Sequence, residues 1–148
     1  MATVDFPQVP RLVVAPAGVT GTGTITVQVP DPAPGIEASD VWQIQAVTFR
    51  VVASATVSTR TPVVQVLDGT SVAIACAAAG FGITAGLTTD YSYCRGLAEW
   101  DQSNNAFASG PAPLLPLDPG DSITISLGNA DTTDAISRVR VVLAPFDY

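Results

Sequence analysis

The side chains that could carry out chemistry in this chain are carboxylates without a basic partner. The sequence holds thirteen Asp and Glu residues and six arginines, but no histidine and no lysine. A serine or cysteine nucleophile normally needs one of those bases, and no Gly-x-Ser-x-Gly turn is present. Glycosidase chemistry needs two facing carboxylates, whereas the two glutamates, Glu37 and Glu99, fall in or beside predicted loops. We therefore predict that the protein is not an enzyme.

Metal and phosphate sites are equally hard to build from these residues. Two segments, 101–105 and 129–134, are rich in Asp and Asn, but neither has EF-hand spacing, and both residue types are ordinary in turns. Two cysteines without histidine cannot complete a zinc site. The Gly-Thr-Gly at 21–23 resembles a phosphate loop, yet it lacks the lysine and precedes a predicted strand. The sequence predicts no metal and no cofactor.

The charge balance limits the partners that the protein can bind. A net charge of −7 repels phosphate backbones and anionic membranes, so we expect neither nucleic acid nor a membrane as partner. Only 13% of the residues are charged and 47% are hydrophobic, which predicts a largely neutral surface that meets other protein. No run of 18 apolar residues and no signal-peptide pattern is found, so we expect a soluble protein made in the cytoplasm.

Short β-branched runs bounded by proline and glycine fill most of the chain. In residues 24–29 and 136–143, apolar side chains alternate with polar ones, which is the period of a half-buried strand. The apolar phase changes within residues 41–54 and predicts a β-bulge near Ala46. Further strands are predicted at residues 60–67, 71–78, 87–95 and 122–127. The predicted fold is all-β: an antiparallel, jelly-roll-like β-sandwich of about eight strands, with an immunoglobulin-like sandwich as the alternative.

The chain ends and one long segment are predicted to contact partners. Residues 1–23 contain three prolines and are predicted to form an extended N-terminal arm, leaving residues 24–148 as a single sandwich domain. Such an arm could lie on a neighbouring subunit or be a disordered leader. Residues 96–110 are predicted to be a long loop. The predicted partner-contact residues are Val9, Leu12, Val13, Val14, Trp100, Phe107, Arg138, Arg140, Phe146 and Tyr148.

Two of these contact residues are charged and lie in the last predicted strand. Arg138 and Arg140 fall on its polar face, where they could pair with acids across the sheet or reach an acidic neighbour. Cys76 and Cys94 are predicted to be reduced, buried thiols, with one disulfide as the alternative. The aromatic residues predicted to lie in the core are Trp42, Phe49, Tyr91 and Tyr93.

From Val41 onward, the order of elements resembles a loose class of tailed-bacteriophage virion proteins. The resembling pieces are Trp42 at the start of a long strand, 55–60 leading into 63–69, Tyr91-Ser92-Tyr93, 114–116 ahead of 119–123, and finally 134–143. The resemblance implies a jelly-roll-like structural protein of the virion, made in the host cytoplasm. It would be a capsid decoration or head-fibre protein that binds the major capsid protein or other virion proteins as a homo-oligomer, with a trimer favoured. A tail or neck accessory protein and a receptor- or carbohydrate-binding module are the alternatives.

Overall fold

A computed structural model of the chain describes residues 12–31, 41–78, 82–96, 100–101, 107–113 and 115–145. Within these ranges the chain forms eleven strands and no helix, so the all-β prediction is confirmed. None of the described residues belongs to a helix that could span a membrane. The strands are β1 Leu12–Val14, β2 Val19–Thr20, β3 Ile25–Gln28, β4 Trp42–Val52, β5 Thr61–Leu67, β6 Ala73–Ala78, β7 Thr88–Cys94, β8 Trp100–Asp101, β9 Phe107–Pro111, β10 Ser122–Gly128 and β11 Ala135–Pro145.

The strands form two sheets whose strand order is that of a jelly roll. The large sheet has the order β1-β11-β4-β7-β9-β8, with β2 also paired to β11, and the small sheet has the order β3-β10-β5-β6. When β1 and β2 are taken as two halves of one strand, the large sheet without β8 and β9 and the small sheet hold four strands each. They are connected as in the two Greek keys of a jelly roll. The predicted jelly-roll-like sandwich is confirmed.

The hydrophobic core lies between the sheets and follows the period-two pattern of the sequence. In β11, Val139, Val141 and Leu143 are buried, whereas Arg138 and Arg140, on the other face of the strand, are exposed. Because successive side chains of a strand point to opposite faces, one alternating run supplies both a core surface and an outer surface. The same alternation holds in β3 and β5.

Aromatic side chains fill part of this core, as predicted. Phe49 of β4 stacks on Tyr91 and Tyr93 of β7, with ring centroids 5.4 and 6.1 Å apart. All three side chains are almost completely buried. Trp42 is 5% exposed and donates its indole N–H to the Pro30 carbonyl oxygen at 3.1 Å. Burial of the indole therefore leaves its polar group satisfied.

The β-bulge predicted near Ala46 is present. β4 pairs with β11 through Ala46 and Val142 and then through Ile44 and Leu143, so Gln45 is an extra residue on β4. The extra residue reverses the alternation, which allows both the Trp42–Ile44 part and the Val47–Val51 part of β4 to face the core.

Residues 12–20 do not project from the sandwich as a separate arm. β1 and β2 both pair with β11 at the edge of the large sheet. Leu12 and Val14 are half-buried against the core, while Val13 is 57% exposed. Pro16 lies between the two short strands, and proline is tolerated at a sheet edge. Residues 1–11 lie outside the described residues, so the domain boundary at residue 23 and the docking role of the arm stay predictions.

Two further predictions need correction. The segment 96–110 is not entirely a loop, since it contains β8 and most of β9, which runs parallel to β7. Cys76 is exposed, so the prediction of a buried thiol is wrong there, and Cys94 is half-buried. Both cysteines are free, and they lie in different sheets. The prediction of reduced thiols is confirmed.

Candidate functional site

The two sheets differ in the charge of their strands. No residue in the four strands of the small sheet is charged. Among the described side chains of the large sheet, charges occur at Arg50, Asp90, Arg138 and Arg140. These four lie on the surface that faces away from the core, and we call this outer surface of β4, β7 and β11 the basic face.

A β-bulge determines how Arg138 is presented on this face. β11 pairs Ser137 with Arg50 and then Arg140 with Thr48, so two residues of β11 lie opposite one residue of β4. Arg138 has a φ of 53°, in the left-handed region that residues other than glycine rarely adopt. The first residue of a bulge with this conformation is usually glycine. An arginine held there at an energetic cost indicates that its side chain has a use.

An ion pair occupies the centre of the basic face. The Arg50 guanidinium donates two hydrogen bonds of 2.7 Å, one to each carboxylate oxygen of Asp90 in the neighbouring strand. The hydrogen bond from Arg50 lowers the pKa of Asp90, against a smaller opposing effect of burial, and the positive charge of Arg138 lowers it further. Asp90 therefore stays a carboxylate, and its charge is already neutralised by Arg50.

Arg138 and Arg140 have no ion-pair partner among the described residues. Around them the basic face has two adjoining depressions, of about 240 and 640 Å³, which share Thr48 and Arg138. The larger depression is bordered by Ala15, Pro16, Thr48, Arg138, Val139 and Arg140. We call these two depressions the arginine groove. It places two guanidinium groups beside an open concave surface, a geometry that suits carboxylates of another molecule.

The basic face is opposite in sign to the sum of the other charged side chains that the structure describes. Its three arginines and one aspartate give +2, whereas the other charged side chains that the structure describes, two arginines and six aspartates, give −4. Such separation directs an approaching acidic surface to the basic face and turns basic surfaces away from it.

A second cluster of charge is buried at one end of the sandwich. Arg60 and Asp134 are both 0% exposed, and the Arg60 Nε donates to an Asp134 carboxylate oxygen at 2.9 Å. The other two guanidinium nitrogens donate to the Ser58 carbonyl oxygen and the Ser54 hydroxyl, each at 2.8 Å. The pair thereby joins the loop before β5 to the loop before β11. Sequence reasoning missed it.

The Asp134 carboxylate is held in its charged form by this cluster. Burial alone would raise its pKa, but hydrogen bonds outweigh burial, so the pKa is lowered. The donors are the backbone N–H groups of Asp131 and Ser54, at 2.7 and 2.8 Å, and the guanidinium of Arg60. With every partner supplied from within the protein, the cluster is structural. Asp131 and Asp134 also hold a turn, which confirms the prediction of turn chemistry for 129–134.

The structure brings together only part of the predicted contact set. Arg138 and Arg140 lie side by side in the arginine groove, and Val13 is exposed at the edge of the same sheet. Trp100 and Phe107 begin β8 and β9. Val9, Phe146 and Tyr148 lie outside the described residues, and contact by any of these residues with a partner stays a prediction. Sequence reasoning missed Thr48 and Pro16 as groove residues.

No group of three or more Asp, Glu, Cys or His side chains within the described parts of the chain could hold a metal ion. Most of the 101–105 segment lies outside those parts.

The sequence matches no protein-family model and no curated protein. The chain is similar to one in the "Structure of infectious bursal disease virus Gx strain", with 9% identity and a TM-score of 0.28. The alignment covers 98% of this chain and 45% of that chain, so this chain spans less than half of the viral chain's length. A likeness at this TM-score carries no argument about function.

Proposed function

We propose that the protein is a structural subunit of a virus particle that docks on an acidic surface of another virion protein through its basic face. The main support is the difference in charge between that face, at +2, and the other described charged side chains, at −4. The finer proposal is a tailed-phage capsid decoration or head-fibre protein that acts as a homo-oligomer and not as an enzyme. Jelly rolls recur in viral capsids, which supports this class by analogy, although they also form lectins.

The arginine groove would supply the specific contacts. Arg140 lies in regular strand conformation, whereas the bulge turns Arg138 toward the same groove. Since neither has an ion-pair partner among the described residues, both guanidinium groups can pair with carboxylates of the docked surface. Asp90 borders the smaller depression beside Arg138, but its two carboxylate oxygens are already hydrogen-bonded to Arg50.

The test is binding of the purified protein to tailed-phage capsids stripped of their accessory proteins, measured by co-sedimentation. Arg140→Glu should weaken binding on the order of tenfold or more, because it places a like charge against the acidic partner. Val57→Glu is the control: it adds negative charge at a position that is 94% exposed in the loop between β4 and β5, outside the basic face. Binding of wild type should also weaken as salt is raised. Equal binding by both variants would refute docking through the basic face.

Two further experiments test the docking role of the N-terminal residues and the carbohydrate-binding alternative. Removing residues 1–11 leaves β1 and β2 in place, and loss of capsid binding in that truncated protein would support a docking arm. Retained binding would exclude that role. A glycan array tests the carbohydrate- or receptor-binding module, since a decoration protein should bind none of the glycans.

A further inference from the structure

The small sheet has an open edge at β6. Within the described residues, β6 pairs with β5 on one side and with no strand on the other. Edge strands are normally protected by charged side chains, proline or very short length, because their unpaired N–H and C=O groups can pair with another chain. β6 is six residues long, Ala-Ile-Ala-Cys-Ala-Ala, and has no charge and no proline. The register shifts at Ile74, since Ala73 and Ala75 pair with the adjacent Leu67 and Val66, so the regular part of β6 that is open to strand addition begins at Ala75.

Exposed apolar side chains concentrate at this same edge. Val72 is 58% exposed and Ile74 is 46% exposed, and Cys76 is exposed as well. Of the five large hydrophobic residues that are exposed in the described part of the chain, two therefore lie within or directly before β6. Burial of Ile74 by a partner would be favourable, because it would remove the exposed apolar surface of this side chain from water.

We propose that a second copy of this chain pairs with β6 in antiparallel orientation about a two-fold axis. The pairing would join the small sheets of two copies into one eight-stranded sheet. Charge argues for a second copy as the occupant: two molecules of −7 repel each other, but the strands of the small sheet carry no charge at all. When two small sheets meet, no charged strand residue of one copy approaches a like charge of the other. A two-fold contact also uses the same surface on both copies, so one edge strand is sufficient to form it.

The two faces of β6 limit the register of the pairing, and among the registers they allow we propose the one with the axis at Cys76. Cys76 pairs with Gln65 and lies on the outer face, whereas Ala75 and Ala77 pair with buried valines of β5 and lie on the core face. A two-fold axis perpendicular to the sheet places the core faces of both copies on the same side of the joined sheet. Each core-facing residue of β6 must therefore lie opposite a core-facing residue of the second copy. Centring the axis on Cys76 pairs Ala75 with Ala77 of the second copy and sets Cys76 against its own counterpart. Cβ atoms of opposed residues are about 4.5–5.5 Å apart, close enough for a disulfide after small adjustment.

Cys76 therefore serves as the reporter of this contact. Light scattering of the purified protein should give a mass of twice 15.2 kDa. Copper-phenanthroline, an added oxidant, should then link two Cys76 thiols of a Cys94→Ser variant into a covalent dimer, and the Cys76→Ser, Cys94→Ser protein should give none. A monomer mass at all accessible concentrations would overturn the proposal. So would a trimer that does not cross-link through Cys76.

A charge placed on the edge provides the second test. Ile74→Lys should raise the dimer dissociation constant by at least about tenfold, because it removes two apolar contacts and adds two like charges at one interface. Val57→Lys is the matched control, since Val57 is 94% exposed in the loop between β4 and β5 and not in the edge strand. Circular dichroism and thermal unfolding verify that both variants fold. An unchanged dimer in Ile74→Lys would refute edge pairing. Neither result depends on the arginine groove. Absence of the dimer would therefore not contradict capsid binding through the basic face, and absence of capsid binding would not contradict the dimer.

Discussion

Replacing Asp134 by asparagine isolates the energetic role of the buried ion pair. Asn keeps the shape of the side chain but removes the only charge that faces the fully buried Arg60 guanidinium. The carboxylate accepts three hydrogen bonds, from Arg60, Ser54 and Asp131, and the amide nitrogen of Asn would confront one of these donors. Breaking a buried pair in this way costs about 3–5 kcal/mol. This loss is a large fraction of the roughly 5–15 kcal/mol by which a domain is stable. It should lower the melting temperature by roughly 10 °C.

The measurement is urea unfolding followed by circular dichroism, with the free energy of unfolding compared at an unchanged m-value. Asp90→Asn is the matched control, because it makes the same chemical change in an ion pair whose side chains are 29% and 45% exposed. It should cost less than about 1 kcal/mol. The double variant Arg60→Met, Asp134→Asn should recover part of the loss, since the unpaired buried cation is gone. If Asp134→Asn costs no more than Asp90→Asn, the buried pair does not stabilise this end of the sandwich.

The same carboxylate should make the stability dependent on acid. The pKa of Asp134 is lower in the folded protein than the value of about 3.9 that it has in an unfolded chain. The unfolded state therefore takes up the proton first, and the stabilisation is fully present above the unfolded pKa and is lost as the pH falls through the folded pKa. Free energies of unfolding should fall more steeply below about pH 4 in wild type than in Asp134→Asn. Parallel pH profiles would show that another carboxylate governs acid unfolding.

Two backbone positions give further predictions. Gly18→Ala should destabilise the fold by about 1–3 kcal/mol, because the added Cβ would lie 2.5 Å from a backbone oxygen of β11. The control Gly69→Ala, whose Cβ would have no neighbour nearer than 3.8 Å, should change the melting temperature little. Arg138→Gly should leave stability unchanged or raise it by up to about 1 kcal/mol, since glycine readily adopts its φ of 53°. Arg140→Gly, in regular strand conformation, should lower stability by about 0.5–1 kcal/mol, and the opposite order in thermal unfolding would contradict the bulge assignment.

Local alternation was enough to predict the seven strands β3 to β7, β10 and β11 and the outward direction of Arg138 and Arg140. It also predicted the bulge near Ala46, because a bulge leaves a phase change in the apolar pattern. Partner strands that come from distant parts of the sequence leave no such mark. For this reason the pairing of β1 with β11 and the parallel entry of β9 beside β7 were not predicted.

The buried pair was missed for a related physical reason. Arg60 and Asp134 are 74 residues apart, and each sits among Ser, Thr and Asp residues that are typical of exposed turns. Burial of the pair arises only when the loops at one end of the sandwich converge. The alternation of β11 predicted that the two arginines of the arginine groove face outward. The positive φ of Arg138 and the position of Pro16 beside it depend on how the strands pair in three dimensions, so the sequence did not predict them.

The antiparallel pairing of β1 with β11 has a mechanical consequence. Leu12 lies beside Leu143, so the chain enters β1 and leaves β11 at the same end of the large sheet. Tension applied through these two points would act across the hydrogen bonds and open them one after another, as in a zipper, instead of shearing the whole ladder at once. The edge formed by β1 would therefore open at low force, because only one pair of residues carries the load at a time.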